Sequence, residues 1–559
     1  MGHDISDLIS CRRLGLALLA IFPLASRFAS LFKNVAEAKN AVDNAILKCS
    51  TDYIINMMQH NRADATPACL AGGLRWIMAI LSTGIVAGRA QSATSAAGPS
   101  ANSPPVLMMS ATNGVGAPAG PSENPQQQNW NFHGQGTVIV QGYPGFHAQY
   151  SGPNSLPAGG ETRETITVNL FAGVRLWHGA EAHVDGLMWQ GYGVGGTFGI
   201  EDFPNGDAYK AGTATPYFNF AHLFIRQTIG FGGEQEDIPD GPLSLAGNED
   251  ISRLTITLGR FSPLDICDNN TYASDPHTQF MNWAMMGNVT WDYGQDTIGY
   301  TTGISLELNQ PKWALRYGFF QMPEVKNGFT GDDQYFMAPP MGAYGPFLRS
   351  WAMMTELERR WSIKDHPGVI RFLAWLNEAD MATYSAATAY LLANPPGPNA
   401  PAGAGGDVPD SVRAYRYKYG FGLNWEQEVA KDVGMFSRLG WNDGREETWT
   451  FTDVNWSASL GISVKGETWR RPDDTFGLAG IVSGASRDNQ EFLEAGGEDM
   501  LDGDGALSYS PEKVLETYYD FKIWRIFHGA VDYQYVVAPA FNRARGPVSL
   551  FGARFHWEF

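Results

Sequence analysis

The body of this chain has no long apolar run. After Trp130 no stretch reaches 18 consecutive apolar residues, which excludes a membrane-spanning helix there. Charge is scarce too: Asp, Glu, Lys and Arg make up 17 %, against roughly 25 % in an ordinary soluble protein. Basic residues are the scarcer sign. With 39 Lys and Arg against 58 Asp and Glu, the net charge is −19, leaving no surplus to neutralise phosphates and arguing against nucleic acid as a partner. Cysteine is nearly missing. Of the 4, Cys11, Cys49 and Cys69 precede residue 70, so a chain that has lost its front end keeps Cys267 alone and no disulfide. Their spacing fits no zinc motif.

Aromatics, in contrast, reach 13 %, with 17 Trp, 22 Tyr and 31 Phe, and the 64 glycines suit tight turns and crowded strands. The front end reads as a targeting segment. In "LRWIMAILSTGIVAGRA", residues 74–90, Arg75 precedes an apolar run from Trp76 to Ala87 and then small residues, the pattern of a secretory signal cleaved after Ala90. A rival run, "RRLGLALLAIFPLA" from Arg12 to Ala25, would make two signals in series. The reading is therefore a leader over 1–90 whose working signal spans about 57–90, starting at Met57 or Met58, with 1–56 upstream of the true start; a long composite leader is the alternative. Residues 91–129, rich in Ala, Ser, Pro, Gly and Gln, are expected to form a disordered extension.

From Trp130 to Phe559 the recurring signal is alternation. In "TITVNLFAGVRLW", Ile166, Val168, Leu170, Ala172, Val174 and Leu176 alternate with a set holding Thr165, Thr167, Asn169 and Arg175, so one strand face is apolar and the other mixed. The same period returns in Leu254, Ile256 and Leu258, in Tyr419, Phe421, Leu423 and Trp425, in Leu460, Ile462 and Val464, and in Val531, Tyr533 and Tyr535. A large soluble sandwich or propeller alternates as well. Three features favour an all-β transmembrane antiparallel barrel. Trp177, Tyr217, Trp425 and Trp557 stand at strand ends on the apolar face, as interfacial girdles require. The opposite face carries Arg175, Glu181, Asp185, Arg316, Glu426 and Arg554, awkward in a dry core but natural in a wet lumen. An export signal with no later spanning helix fits delivery beyond the inner membrane. At roughly 25 to 30 residues per strand and connection, the chain makes about 14 to 18 strands.

"LGRFSPLDICDNNTYASDPHTQFMNWAM", Leu258 to Met285, resembles the signature of the carbohydrate-selective, OprB-like porins. In that pattern a strand ends in Gly259, Arg260 and Phe261, a loop follows with Asp265, Asp268, Asn270 and Tyr272, and Gln279, Phe280, Asn282 and Trp283 close it. The segment from Leu515 to Phe559 is similar to the family's ending through Glu516, Tyr518, Tyr519, Asp532, Gln534, Tyr535, Pro539, Asn542, Arg545, Gly546, Arg554, His556 and Phe559. The resemblance covers about 130–559, and departs from the pattern in Cys267, where a Phe is expected, and in the long leader. It implies a sixteen-stranded barrel in the outer membrane of a Gram-negative bacterium, passing sugars into the periplasm by facilitated diffusion.

A sugar offers a hydroxylated edge and apolar C–H faces, so a selective pore needs hydrogen-bonding groups on one wall and rings on another. No cofactor, metal or energy source is required. Parity nominates Arg175, Glu181, His183, Asp185, Arg316 and Arg554 as lumen-facing, with Trp189 and Trp283 as stacking surfaces. Against each charge stands a wall ion-pair ladder. Arg260, Asp265, Asp268 and Asn282 belong to the signature loop and either brace a constriction or touch sugar. His183 and His556 read as hydrogen-bonded wall residues rather than metal ligands. "GYGVGG", residues 191–196, lacks the helix a dinucleotide site needs. "DGDG", residues 502–505, fails as a calcium loop because the alignment puts Met500 and Pro511 at ligand positions. Glu356 and Glu358, beside Arg359 and Arg360, read as a charge network rather than an acid/base couple. The competing functions are a non-selective porin, an outer-membrane barrel enzyme and a soluble glycan-binding β-protein.

The stretch "SLFGARFHWEF", Ser549 to Phe559, places Phe551, Ala553, Phe555, Trp557 and Phe559 on one face and Gly552, Arg554, His556 and Glu558 on the other. It reads as a closing strand whose aromatic face meets outer-membrane lipid. The resemblance implies that Phe559 is the mark read by the barrel assembly machinery. The other expected partners are sugars, and the barrel is a monomer or a homotrimer.

Overall fold

The computed structural model describes residues 127–209, 212–326, 349–395, 406, 408–450 and 453–559. The leader over 1–90 and the extension up to residue 126 lie outside the described residues.

Where the sequence alternates, the chain forms strands, and sixteen of them close into one antiparallel barrel. β1 (Trp130–Pro144), β2 (Gly160–Trp177), β3 (Ala180–Gly191) and β4 (Thr213–Gly230) lead into a small hairpin, β5 (Gln235–Ile238) with β6 (Gly247–Asp250), that forms a sheet of its own. The wall resumes with β7 (Arg253–Phe261), β8 (Thr301–Gln310), β9 (Trp313–Gln321), β10 (Trp351–Ile363), β11 (His366–Met381), β12 (Ala414–Ala430) and β13 (Val433–Asn442). It ends with β14 (Trp456–Lys465), β15 (Thr475–Gly484), β16 (Glu512–Trp524), β17 (Phe527–Val537) and β18 (Val548–Glu558).

Burial follows strand parity with the polarity of a soluble protein reversed. On β2, Leu170 is 45 % exposed while its neighbour Asn169 is 5 % exposed; on β18, Phe555 is 42 % exposed and Arg554 3 %. Lipid must receive the apolar face, and the enclosed face keeps the polar groups. Trp177, Trp441, Trp456 and Trp524 are exposed near strand ends, as a girdle requires. Tyr217 departs from its expected place. The β3–β4 register skips Ala221 between Asp185/His222 and Gly186/Phe220, and this bulge reverses the parity of the preceding part of β4. Tyr217 therefore packs edge-on against Trp189, ring centroids 6.4 Å apart, while Phe218 points out.

The two ends of the barrel differ. At one end the strands join through turns such as 178–179, 311–312 and 364–365. In the last, Lys364 and Asp365 both have positive φ, +51° and +67°, the primed turn that twisted hairpins favour. At the other end lie the long connections 192–212, 262–300, 382–413 and 485–511. In outer-membrane barrels the short turns face the periplasm and the long loops face outward. Closure is made by β1 and β18, with Val138 opposite Phe555 and Gly142 opposite Phe551. Beyond the last strand residue, Phe559 and Gly134 exchange backbone hydrogen bonds of 3.0 and 3.2 Å. A Cβ on Gly136 would lie 2.5 Å from the Trp557 indole, so only glycine lets that ring lie across the seam.

Candidate functional site

The strand β7 runs into connection 262–300 through a tight start. Ser262 caps a short turn at Pro263–Asp265: its hydroxyl accepts from the Leu264 N–H at 3.3 Å, and the Asp265 carboxylate accepts from the Ser262 N–H at 2.7 Å. From there the connection folds into the lumen, where wall side chains bond its backbone on several sides. Glu356 of β10 accepts from the Asp268 N–H at 2.7 Å, and Glu426 of β12 from the Thr271 N–H at 2.6 Å. Arg438 of β13 donates to Asp268 Oδ2 at 3.1 Å and to the Met285 carbonyl at 2.7 Å. Across the barrel, Glu516 of β16 accepts from the Met281 N–H at 2.6 Å. Arg554 of β18 donates to the carbonyls of Pro276 and Gln279 at 2.7 and 2.8 Å. Asn282 caps the short helix α1 (Trp283–Met286) and donates to Gln534 of β17 at 3.0 Å.

A second connection, 192–212, meets the first through rings. Phe203 stacks between Tyr209, at a centroid distance of 4.4 Å, and Trp283, at 5.6 Å. The Trp283 N–H donates to the Phe203 carbonyl at 3.0 Å, and the Gly206 N–H to that of Met281 at 2.7 Å. Between these two connections and strands β1 to β3 lies a cavity of about 160 Å³, well above the ~15 Å³ that a single water requires. Its lining combines carboxylates and amides, among them Asn169, Asp185, Asp207 and Asp265, with the rings of Trp189, Phe203, Tyr209 and Trp283.

Histidines hold the carboxylates. His222 of β4 bridges Asp185 at 3.0 Å and Asp265 at 2.9 Å. His277 bridges Asp275 at 2.7 Å and Asp207 at 3.1 Å. Burial alone would lower the His277 pKa, but the two carboxylates outweigh it and push it up to about 10. Burial likewise opposes ionisation of Asp275, yet His277 and Thr278 hold it well below the usual carboxylate range. Both groups are therefore charged at neutral pH. Cys267, at 0 % exposure, is a free thiol whose pKa is pushed up by burial and then by Glu356.

Of the residues nominated from the sequence, Asp185, Trp189, Asp265, Asp268 and Trp283 line the cavity. Arg260, Asn282 and Arg554 brace the connections: Arg260 donates to the Phe220 carbonyl at 2.7 Å and pairs with Asp296. Arg316 stands in a ladder on the opposite wall. It meets Glu356 at 2.8 Å and Glu358 at 2.9 Å, and Arg371 of β11 continues from Glu358 at 2.8 Å to Glu426 at 3.3 Å. The charge network around Glu356 and Glu358 is thus real, but its arginines come mostly from neighbouring strands; Arg359 turns away to the Lys312 carbonyl. Arg175, Glu181 and His183 lie near the short-turn end. Arg175 ties down the Gln128 carbonyl at 2.9 Å, and Glu181 pairs with Arg226 at 3.3 Å and His183 at 3.6 Å. Sequence reasoning missed Phe203, Asp207, His222 and His277. His222 lies past the β4 bulge and shares parity with Arg226 and Thr228, so alternation there could have nominated it; nothing in the alternation marks residues of an irregular connection.

The sequence profile of the carbohydrate-selective porin family, OprB, matches residues 154–559. Among solved structures, the high-pH form of OprB from Pseudomonas putida is 16 % identical, covers 77 % of this chain and 94 % of its own, and superimposes with a TM-score of 0.56. Its low-pH form is 12 % identical over 77 % and 93 % of the two chains, with a TM-score of 0.40. The outer-membrane channel DcaP of Acinetobacter baumannii is 9 % identical over 77 % and 97 %, with a TM-score of 0.41. No curated protein matches the chain.

Proposed function

The chain belongs to the carbohydrate-selective porin family OprB, and on that premise we propose that the cavity between connections 192–212 and 262–300 is where a passing sugar is held. The protein is an outer-membrane channel for carbohydrates, and its family and fold are those of channels rather than enzymes. The observation that carries the finer reading is the mixed lining of this cavity. Asp185, Asp207 and Asp265 line it together with Phe203 and Trp283, so hydroxyls can meet acceptors while a C–H face meets rings.

Its carboxylates favour neutral sugars over sugar acids, since like charges repel in a site of low dielectric. Its size suits one ring at a time. Holding must be weak enough to release, because a porin only lowers a barrier along a gradient. The ladder through Arg316 and Arg371 keeps the facing wall rigid, and Arg260, Arg438, Asn282 and Arg554 fix the connections that frame the cavity. Outward-facing Leu and Phe side chains meet lipid, and Phe559 is the residue offered to the assembly machinery.

Planar-bilayer conductance of the purified protein tests the reading. Block by glucose, weaker block by maltose and little ion selectivity are expected; large currents that neither sugar blocks would instead indicate a non-selective porin.

A further inference from the structure

Away from the sugar cavity, three connections at the long-loop end bring their acids together. Glu201 comes from 192–212, Asp453 from 443–455 and Asp502 from 485–511, and one carboxylate oxygen of each lies within 4.8 Å of the others. The three residues are 0, 0 and 1 % exposed. The backbone satisfies part of this group: the Asp453 N–H donates to Glu201 Oε2 at 3.1 Å, and the Leu501 N–H to Asp453 Oδ2 at 3.2 Å. Among the described residues, Glu201 Oε1, Asp453 Oδ1 and both oxygens of Asp502 have no donor. Asp502 is thus a buried carboxylate with neither oxygen satisfied, set against two more carboxylates.

Asn489 is fully buried, donates Nδ2 to the Asp453 carbonyl at 3.3 Å, and leaves its own Oδ1 without a donor. Lys326 pairs with Glu447 at 3.2 Å and with Asp499, and Lys418 donates to the Glu446 carbonyl and Thr448. Buried carboxylates need protons, donors or a cation. Convergence of one oxygen from each of three separate connections within 4.8 Å is the geometry in which a single cation serves all three.

We propose that Glu201, Asp453 and Asp502 bind one divalent cation of the calcium type, which pins these three connections together. The donors are hard oxygens. Ligand oxygens within 4.8 Å of one another can share one cation, and an oxygen cage built by the protein suits Ca²⁺, whereas Mg²⁺ keeps its waters and fits a dry protein cage poorly. The "DGDG" stretch fails as a contiguous calcium loop because Asp502 finds its partner ligands in two other connections. The proposal does not depend on the sugar reading.

The test is calorimetric titration of the full-length protein in detergent, stripped with a chelator and then given CaCl₂ or MgCl₂. Expected are one Ca²⁺ per chain, at least ~10-fold weaker Mg²⁺ binding, and at least ~10-fold weaker Ca²⁺ binding in Asp502→Asn and Glu201→Gln. Heat-modifiable electrophoretic mobility identifies folded variants; should neither fold, the wild-type titration alone decides. No Ca²⁺ binding by the stripped, folded wild type, or unchanged binding by either folded variant, overturns the proposal.

Discussion

Arg438 of β13 and Asp268 of connection 262–300 pair at 3.1 Å with their side chains only 2 % and 4 % exposed. The same guanidinium also donates to the carbonyls of Asp268 and Met285, so one wall residue fixes both flanks of the inward fold. Arg438→Ala leaves a buried carboxylate uncompensated, which costs about 3–5 kcal/mol. The heat-modified form should appear at lower temperature, single-channel conductance should rise, and sugar block should weaken. Arg438→Lys restores the charge but not the fork of donors, and should recover only part of each effect.

Cys267 reports whether that fold persists in the membrane. It is enclosed, and its thiol is pushed toward the unreactive protonated form. A maleimide should label it after denaturation and fail to do so in the folded barrel. Rapid labelling of folded protein would show that connection 262–300 does not rest inside the lumen.

His277 gives the connection a pH signature. Its folded pKa is raised from 6.5 to about 10 by Asp275 and Asp207, so the stabilisation from its charged form is complete below pH 6.5 and fades as pH rises through about 10. The difference in melting temperature between wild type and His277→Gln should therefore be largest at pH 6 and shrink toward zero at pH 10.

Phe203 sits at the centre of the ring stack. Removing it in Phe203→Ala takes away a contact worth about 0.5–1.5 kcal/mol, so the glucose concentration for half-block should rise about 2- to 12-fold. Trp177→Ala, altered on the lipid-facing side, should leave block unchanged.

Phe559 joins the two edges of the wall through its hydrogen bonds to Gly134. Its deletion should lower the amount of folded barrel in the outer membrane more than the amount exported across the inner membrane. Wild-type levels of folded barrel, measured by heat-modifiable mobility, would contradict this.

The wall was legible because lipid imposes a period of two over whole strands: Leu170, Asn169, Phe555 and Arg554 all sit on the faces their parity assigns. Tyr217 was not legible, because a single skipped residue at Ala221 turns its side chain inward. The site was half visible. Asp265, Asp268 and Trp283 stood in a recognisable motif, but their partners Phe203, Asp207 and His277 lie in irregular segments joined by contacts remote in sequence. Arg175, Glu181 and His183 have lumen parity yet sit at a different height, and parity carries no information about height.

The seam between β1 and β18 makes construction of this molecule an event rather than an accumulation. A sheet lacking one strand has two bare edges, as does a sheet lacking ten, and lipid penalises both in the same way. Each strand adds its own ladder, but the penalty of bare edges is lifted only at closure, when Gly134 pairs with Phe559 and Gly136 with Trp557. A cell judging whether the product is finished has one place to look.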